Sequence, residues 1–255
     1  MTVRELYGIL NERIPTSLSC EWDNDGLMCC PDGDREVKRV LVVLDVTGEA
    51  VERAIRGGYD LIVSHHPMIF GGLKSVTDGD AVAKKVIDLV KNGVSVMSFH
   101  TRLDAVEGGV NDTLSALLGL VDVEIFGNAG ETIGRVGMLA QETSLADFAT
   151  EVKRALGAPF VLVSDAGRPV RRVALLGGEG GDDVESARAS GADTYVSGRL
   201  GYHKMTDAPD GDINLIEAGH FYTEQPVCHV LAKMISEADG KIQTEIFVSN
   251  RIKAI

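Results

Sequence analysis

Apolar positions in the first half of the chain fall into short runs that end in polar residues. Lys38-Arg39-Val40-Leu41-Val42-Val43-Leu44-Asp45 is almost continuously apolar at its centre, as a strand buried on both faces requires. Leu61 to Ser64 and Val94 to Phe99 repeat the pattern. Helical spacing fills the gaps. Residues 3–13 predict a short amphipathic helix. Thr47 predicts the cap of a helix that runs to about Arg56 and stops at Gly57-Gly58. A further helix is expected over roughly 79–92, stopped by Asn92-Gly93, and another from Val110 to Leu118. Strands alternating with helices imply a parallel core with right-handed crossovers. Further along, Ile133 to Leu139, Phe160 to Val163 and Ile213 to Ile216 read as strands, and Ser144 caps a helix to about Leu156.

The second half begins the pattern again. Val37–Ser64 aligns with Val170–Ser197 at a constant offset of 133 residues without a gap, and eleven of 28 positions are identical. Val51-Glu52-x-Ala54 pairs with Val184-Glu185-x-Ala187, Gly58-x-Asp60 with Gly191-x-Asp193, and Val63-Ser64 with Val196-Ser197. Matches that keep their order across a whole β-α-β unit point to an internal duplication. Two copies are too few for a solenoid, so two similar α/β halves are expected. The boundary is placed at Gly127-Asn128-Ala129-Gly130, giving residues 1–126 and 127–255, with a return of the C-terminus to the first half left open.

Composition narrows the function. A net charge of −13 over 255 residues repels polyanions at long range, and aromatic residues make up only 5%, so nucleic acid is an unlikely partner. Cys20, Cys29, Cys30 and Cys228 show no CxxC spacing and read as reduced thiols. The N-terminus lacks the pattern of a secretory signal, and no apolar run approaches the roughly 18 residues that span a bilayer. A soluble, cytoplasmic protein is expected.

The chemistry collects at the strand ends. His65-His66-Pro67 follows the second run, His100-Thr101-Arg102-Leu103-Asp104 the third, and His220-Phe221-Tyr222-Thr223-Glu224 follows Ile213–Ile216. Ligands of open α/β sheets gather beyond the carboxyl ends of the strands. Imidazoles with carboxylates are the donor set of a catalytic divalent metal site, and adjacent imidazoles can serve two neighbouring ions. Each residue also has a plainer reading. One histidine of the pair would be structural and the other exposed. Asp104 would close an Asx turn or cap the helix near Gly109. Glu224 would sit at a helix N-terminus with Pro226 in the first turn. His100 is either an acid–base group beside the metals or packing. His203 is either a substrate contact or plain surface, and His229 lies inside the last helix. The run Gly177-Gly178-Glu179-Gly180-Gly181 is either a tight βα turn or a close approach of backbone to a phosphate or another subunit. There is no GxxxxGK[ST] loop and no nucleophile elbow.

Four motifs in order resemble one family. They are Glu21-Trp22-Asp23-Asn24-Asp25-Gly26-Leu27, Ser64-His65-His66-Pro67, His100-Thr101-Arg102-Leu103-Asp104 with Gly108-Gly109-Val110-Asn111-Asp112, and Ala218-Gly219-His220-Phe221-Tyr222-Thr223-Glu224. They resemble the signatures of the GTP cyclohydrolase I type 2 homologues, also called NIF-three-like proteins, over nearly the whole chain. The resemblance implies the NIF-three-like α/β fold, two related halves with the metal site between them. It implies two divalent ions per chain (Zn, Fe, Mn, Co or Ni), held by His65, His66, Asp104, His220 and Glu224, with Glu224 as the bridge. It also implies a toroidal homohexamer and a metal-activated hydrolase, with GTP or another nucleotide as substrate. Glu224 and His100 would then manage protons. The rival reading is a non-catalytic metal-binding ring, a scaffold or regulatory interaction protein. One departure stands out: Ser197-Gly198-Arg199 has an Arg where many relatives have a Glu, which puts a borrowed substrate contact there, including His203, in doubt.

Overall fold

The computed structural model describes residues 1–128, 131–253 and 255. In chain order the elements are α1 (Val3–Arg13), β1 (Gly26–Cys29), β2 (Arg39–Val43), α2 (Gly48–Gly57), β3 (Leu61–Ser64), α3 (Ala81–Asn92), β4 (Ser95–Ser98) and α4 (Thr101–Ala105). Then come α5 (Val110–Leu117), β5 (Val121–Asn128), β6 (Glu131–Thr143), α6 (Leu145–Leu156), β7 (Leu162–Ser164), β8 (Val170–Glu179), α7 (Val184–Ala189) and β9 (Thr194–Arg199). The chain closes with α8 (Tyr202–Asp207), β10 (Asn214–Glu217), α9 (His220–Glu224), α10 (Val227–Ala238) and β11 (Gln243–Ile246). They form two compact units, Met1–Leu103 with Val227–Lys253, and Asp104–Pro226. The anticipated cut at 126/127 falls elsewhere than this division, and the reason is hydrogen bonding. Phe126 pairs with Gly134 across the β5–β6 ladder, so a cut there would sever a hairpin. Gly127 and Asn128 belong to β5, and Ala129 and Gly130 lie outside the described residues. The C-terminus does return: β11 runs parallel to β2, pairing Gln243 with Arg39.

The first unit is a five-stranded sheet in the order β1-β4-β3-β2-β11, parallel except for β1. Its helices begin and end where side-chain chemistry dictates. Thr2 and Glu5 form a capping box on α1, Thr47 accepts from the Ala50 amide, and Asp80 accepts from Val82 and Ala83. Gly58 and Gly93 terminate α2 and α3 with positive φ, 64° and 66°, where a Cβ would be strained.

The second unit is a six-stranded sheet in the order β5-β6-β8-β9-β10-β7. Strands β8, β9 and β10 are parallel, and the flanking strands are antiparallel. Strand β8 explains why a buried strand reads as unbroken apolar sequence. Val173 and Leu175 pack with Leu114, Phe148 and Val152. Ala174 and Leu176 pack with Phe126, Val184 and Tyr195. Successive side chains point to opposite faces, and both faces are covered.

The duplication survives in geometry. Val40 of β2 lies opposite Leu61 of β3, and Val173 of β8 lies opposite Thr194 of β9, the same 21-residue separation. Each pairing is pinned by one buried aspartate. Asp60 Oδ2 accepts from the amides of Lys38 and Arg39 at 2.9 and 3.1 Å. Asp193 Oδ2 accepts from the equivalent amides of Arg171 and Arg172 at 2.9 and 2.7 Å. Because side-chain direction has period two, a one-residue slip would turn the whole strand inside out. These carboxylates therefore fix the register as well as satisfy amides at the entrance to each sheet.

Replacing Asp60 or Asp193 by Ala strips two part-buried amides of their acceptor and is expected to cost about 1–3 kcal/mol in each case, read by urea denaturation. Burial works to raise the Asp60 carboxyl, but bonds from the Lys38 amide, the Arg35 guanidinium and the Arg39 amide outweigh it and hold the group below the ordinary range. A depressed folded value stabilises the protein above the unfolded value of about 4 and is lost on acidification below it. The difference between wild type and Asp60→Ala is thus expected to shrink as pH falls through that region. A difference that stays constant or grows would contradict the assignment.

Candidate metal centre

In the first unit, the residues just past β3 and β4 bring three imidazoles together. One ring nitrogen from each of His65, His66 and His100 lies within 4.8 Å of the others. The ring centroids are 4.9, 5.4 and 5.7 Å apart. Each ring is held by its Nδ1. His65 Nδ1 lies 2.9 Å from the Phe99 carbonyl oxygen, His66 Nδ1 2.8 Å from Asp45 Oδ1, and His100 Nδ1 2.9 Å from Asp23 Oδ1. An oxygen acceptor at Nδ1 favours the tautomer with its proton there, the arrangement that orients metal-binding histidines. His65 is fully buried, whereas His66 and His100 are half-buried.

The adjacency of His65 and His66 works because the strand has ended. Pro67 follows, and the Ser64 hydroxyl donates to the His66 carbonyl at 2.8 Å. Sequence reasoning gave the Asp23–Asp25 loop no function beyond its motif, yet this loop sets His100. Asp23 Oδ2 accepts from the Thr101 amide and hydroxyl at 3.1 and 2.7 Å. Asp25 Oδ2 accepts from the His100 amide at 3.1 Å and from Arg102 Nε at 2.8 Å. Arg102 is fully buried, also donates to Asn11 Oδ1 and the Ile14 carbonyl, and lies 4.6 Å above the Phe99 ring. For Asp23, burial raises the carboxyl, but bonds to His100 and Thr101 prevail and keep it far below the usual carboxylate range. The group beside His100 is therefore an anion at any working pH.

In the second unit, Asp104 and Glu224 each offer a carboxylate oxygen within 4.8 Å of the other, and His220 Nε2 lies 3.0 Å from Glu224 Oε2. Both carboxylates are buried, while His220 is exposed. Two expectations about local structure change here. Asp104 lies inside the helical turn α4, and the next helix is preceded by Gly109 with no side-chain cap. Glu224 ends α9 instead of beginning a helix; Pro226 stands ahead of α10, which starts at Val227. Five-residue helices carry too little periodicity to be seen in sequence.

The glycine run serves Glu224. Gly177 and Gly178 lie within β8, and their amides donate to Asn111 Oδ1 at 2.8 Å and Thr223 Oγ1 at 3.1 Å. Those amides are bonded to side chains, so they do not form a phosphate cradle. A Cβ on Gly178 would run into Glu224 Oε1 and come within 3.4 Å of His220 Nε2, at a φ of +70°. The same Asn111 donates to the Asp104 carbonyl at 3.2 Å, which ties α4 to β8. Outside these clusters, His203 is exposed on α8 against Tyr202, and His229 is exposed on α10. Arg199 pairs with Glu179 at 3.7 Å on the surface.

The chain matches the Duf34/NIF3 (NGG1p interacting factor 3) family model over residues 1–254. It is 33% identical over 259 residues to a protein of Clostridium acetobutylicum named GTP cyclohydrolase 1 type 2 homolog, covering 98% of this chain and 96% of that one. Among solved structures it resembles Staphylococcus aureus protein SA1388, with a TM-score of 0.88 and 26% identity over 100% of this chain and 99% of that one. It also resembles a Bacillus cereus protein related to NIF3, with a TM-score of 0.86 and 25% identity over 99% and 97%. The chain belongs to the Duf34/NIF3 family, and its α/β fold is the fold of that family. No helix among the described residues is long and apolar enough to cross a membrane.

Removing one partner of a buried ion pair leaves the other charge uncompensated, at a cost of about 3–5 kcal/mol. Asp25→Ala is expected to lose that much in urea denaturation, and Asp25→Ala with Arg102→Met markedly less; equal losses would contradict the pairing. Gly178→Ala is expected to keep the fold by circular dichroism while pushing Glu224 aside. Its metal content after purification should fall well below that of wild type. An unchanged content would show that Glu224 has no need of the bare strand.

Proposed function

We propose that this Duf34/NIF3 protein is a divalent-metal-dependent hydrolase, with two ions held by His65, His66, Asp104, His220 and Glu224 and with Glu224 as the bridge. The observation that carries the reading is the set of three imidazoles held through Nδ1 by Phe99, Asp45 and Asp23, with ring nitrogens within 4.8 Å. Histidines that merely fill a core have no need of three ring nitrogens gathered within 4.8 Å. The donor set fits: neutral imidazoles and buried carboxylates suit Zn, Fe, Mn, Co or Ni, and availability selects among them. Bound there, divalent ions supply Lewis-acid polarisation and lower the pKa of water.

The chain's own residues do the rest. His100 is held by an anionic Asp23, which orients the ring and balances a positive charge on it. His100 is the group that takes or delivers a proton at Nε2. The buried Glu224, 3.0 Å from His220 Nε2, is the second proton-handling group. The reading extends to a cytoplasmic homohexameric ring acting on a small substrate, with a nucleotide the first to test because relatives carry the GTP cyclohydrolase 1 type 2 homolog name.

The test is metal per chain by plasma mass spectrometry on protein purified without added metal or chelator, for wild type and Glu224→Ala. Two ions per wild-type chain, reduced in the variant, are expected, with loss of GTP turnover in the variant while its oligomeric state is unchanged. Negligible metal that Zn, Mn or Fe fails to restore would overturn the metal centre. Loss of the ring in Glu224→Ala, with no turnover in wild type, would favour a scaffold.

A further inference from the structure

Two exposed aromatic rings stand over His100. Trp22, the only tryptophan of the chain, is 56% exposed, and Phe70 is 57% exposed. Their centroids are 6.1 Å apart, and each is 6.1 Å from the His100 ring. The interplanar angles are 61°, 76° and 83°, so the three rings form a corner in which none is stacked face to face on another. Burying such rings would gain free energy, yet the loop that carries Trp22 is fastened in a way that keeps the ring out. Asp23 bonds to His100 and Thr101, Asp25 to His100 and Arg102, and Asn24 Nδ2 donates to the Ile69 carbonyl. The last bond ties the Trp22 loop to the segment bearing Phe70. The corner is therefore preorganised at the one imidazole that the proposed mechanism uses for proton transfer.

We infer that Trp22 and Phe70 form the substrate-binding platform of this site, and that the group they receive is a planar heteroaromatic ring. This inference rests on the proposed hydrolase reading and names its substrate class. A planar π system gains from offset or edge-to-face contact with such rings, with the preference for aromatic over aliphatic groups set by the quadrupoles. A second aromatic inclined at 61° to the first fixes the ring's position in the corner and its edge toward His100. The fastened backbone keeps the ordering cost of binding low.

Because Trp22 is the sole indole, its fluorescence reports this corner alone. Metal-loaded full-length protein is titrated with guanosine 5′-monophosphate, adenosine 5′-monophosphate and nicotinamide mononucleotide, and with ribose 5-phosphate as the counterpart without a ring. Saturable quenching by at least one of the three nucleotides, and none by ribose 5-phosphate, is expected. Phe70→Ala keeps the reporter and should weaken that binding at least ~5-fold, the lower end of what one ring–base contact contributes, with metal content unchanged. For Trp22→Ala and Trp22→Phe, equilibrium dialysis should show the loss in the first and its partial rescue in the second. No quenching by any nucleotide at millimolar concentration overturns the inference, as does equal quenching by ribose 5-phosphate or undiminished affinity in Phe70→Ala. Metal content measured on the same samples separates the two readings. Protein without metal refutes the hydrolase reading; metal-bound protein without ring-specific quenching refutes the platform alone.

Discussion

The buried pair between Arg102 and Asp25 is the interaction on which the histidine cluster depends. A guanidinium with no exposed surface has to be matched by a carboxylate and by acceptors for its remaining donors. Asp25 accepts from Nε, and Asn11 and the Ile14 carbonyl accept from Nη1, which leaves Nη2 as the one nitrogen without an acceptor. That requirement draws the 20–25 loop against the end of β4. Once there, Asp23 is two residues from Asp25 and reaches His100 and Thr101. The energetic demand of one buried charge thus sets the orientation of an imidazole whose own burial is only partial. It also explains why the sequence places Trp-Asp-Asn-Asp so far from the histidines it serves.

The strands that position the clusters were readable because their constraint is local and periodic. Both faces of β2, β3, β8 and β9 are covered, so the residues run apolar without alternation, and the caps Thr47 and Ser144 mark helix starts through their own side chains. The duplication was readable because register demands the same residues twice, with Asp60 and Asp193 at equivalent points. Less of the rest could be read. The placement of α10 and β11 in the first unit depends on pairing between Gln243 and Arg39, about two hundred residues apart, and no local pattern encodes that. The turns α4 and α9, which carry Asp104 and Glu224, are shorter than two helical periods. The histidines and carboxylates themselves were visible as chemistry; their secondary structure was not.

The roles of Asp23, Asp45 and the glycines were hidden for another reason. Each acts on a histidine or carboxylate of the two clusters through contacts that sequence spacing does not announce. Asp45 reads as the polar end of a strand, and only the fold puts it 2.8 Å from His66 Nδ1. Gly177 and Gly178 read as a turn or a phosphate loop because glycine enrichment has several causes. Here the cause is steric, a carboxylate lying where a Cβ would be.

The two halves have kept one frame and diverged where it ends. At the offset of 133 residues, Asp45 corresponds to Gly178 and the pair His65-His66 to Gly198-Arg199. In the first unit the strand ends carry the imidazoles themselves and the carboxylate that orients one of them. In the second, the donors come from α9, one connection further on, and the strand ends beneath have to be bare. A Cβ on Gly198 would meet the Gly178 carbonyl oxygen at 2.5 Å, Thr223 Oγ1 at 2.6 Å and the His220 Cα at 2.8 Å. A histidine there would exclude α9, and with it His220 and Glu224. The absence of an imidazole pair from the second copy is the steric condition for a helix-borne carboxylate. The first copy therefore offers imidazoles directly from its strand ends, and the second an imidazole and a carboxylate from α9, one connection beyond the carboxyl end of its own strand.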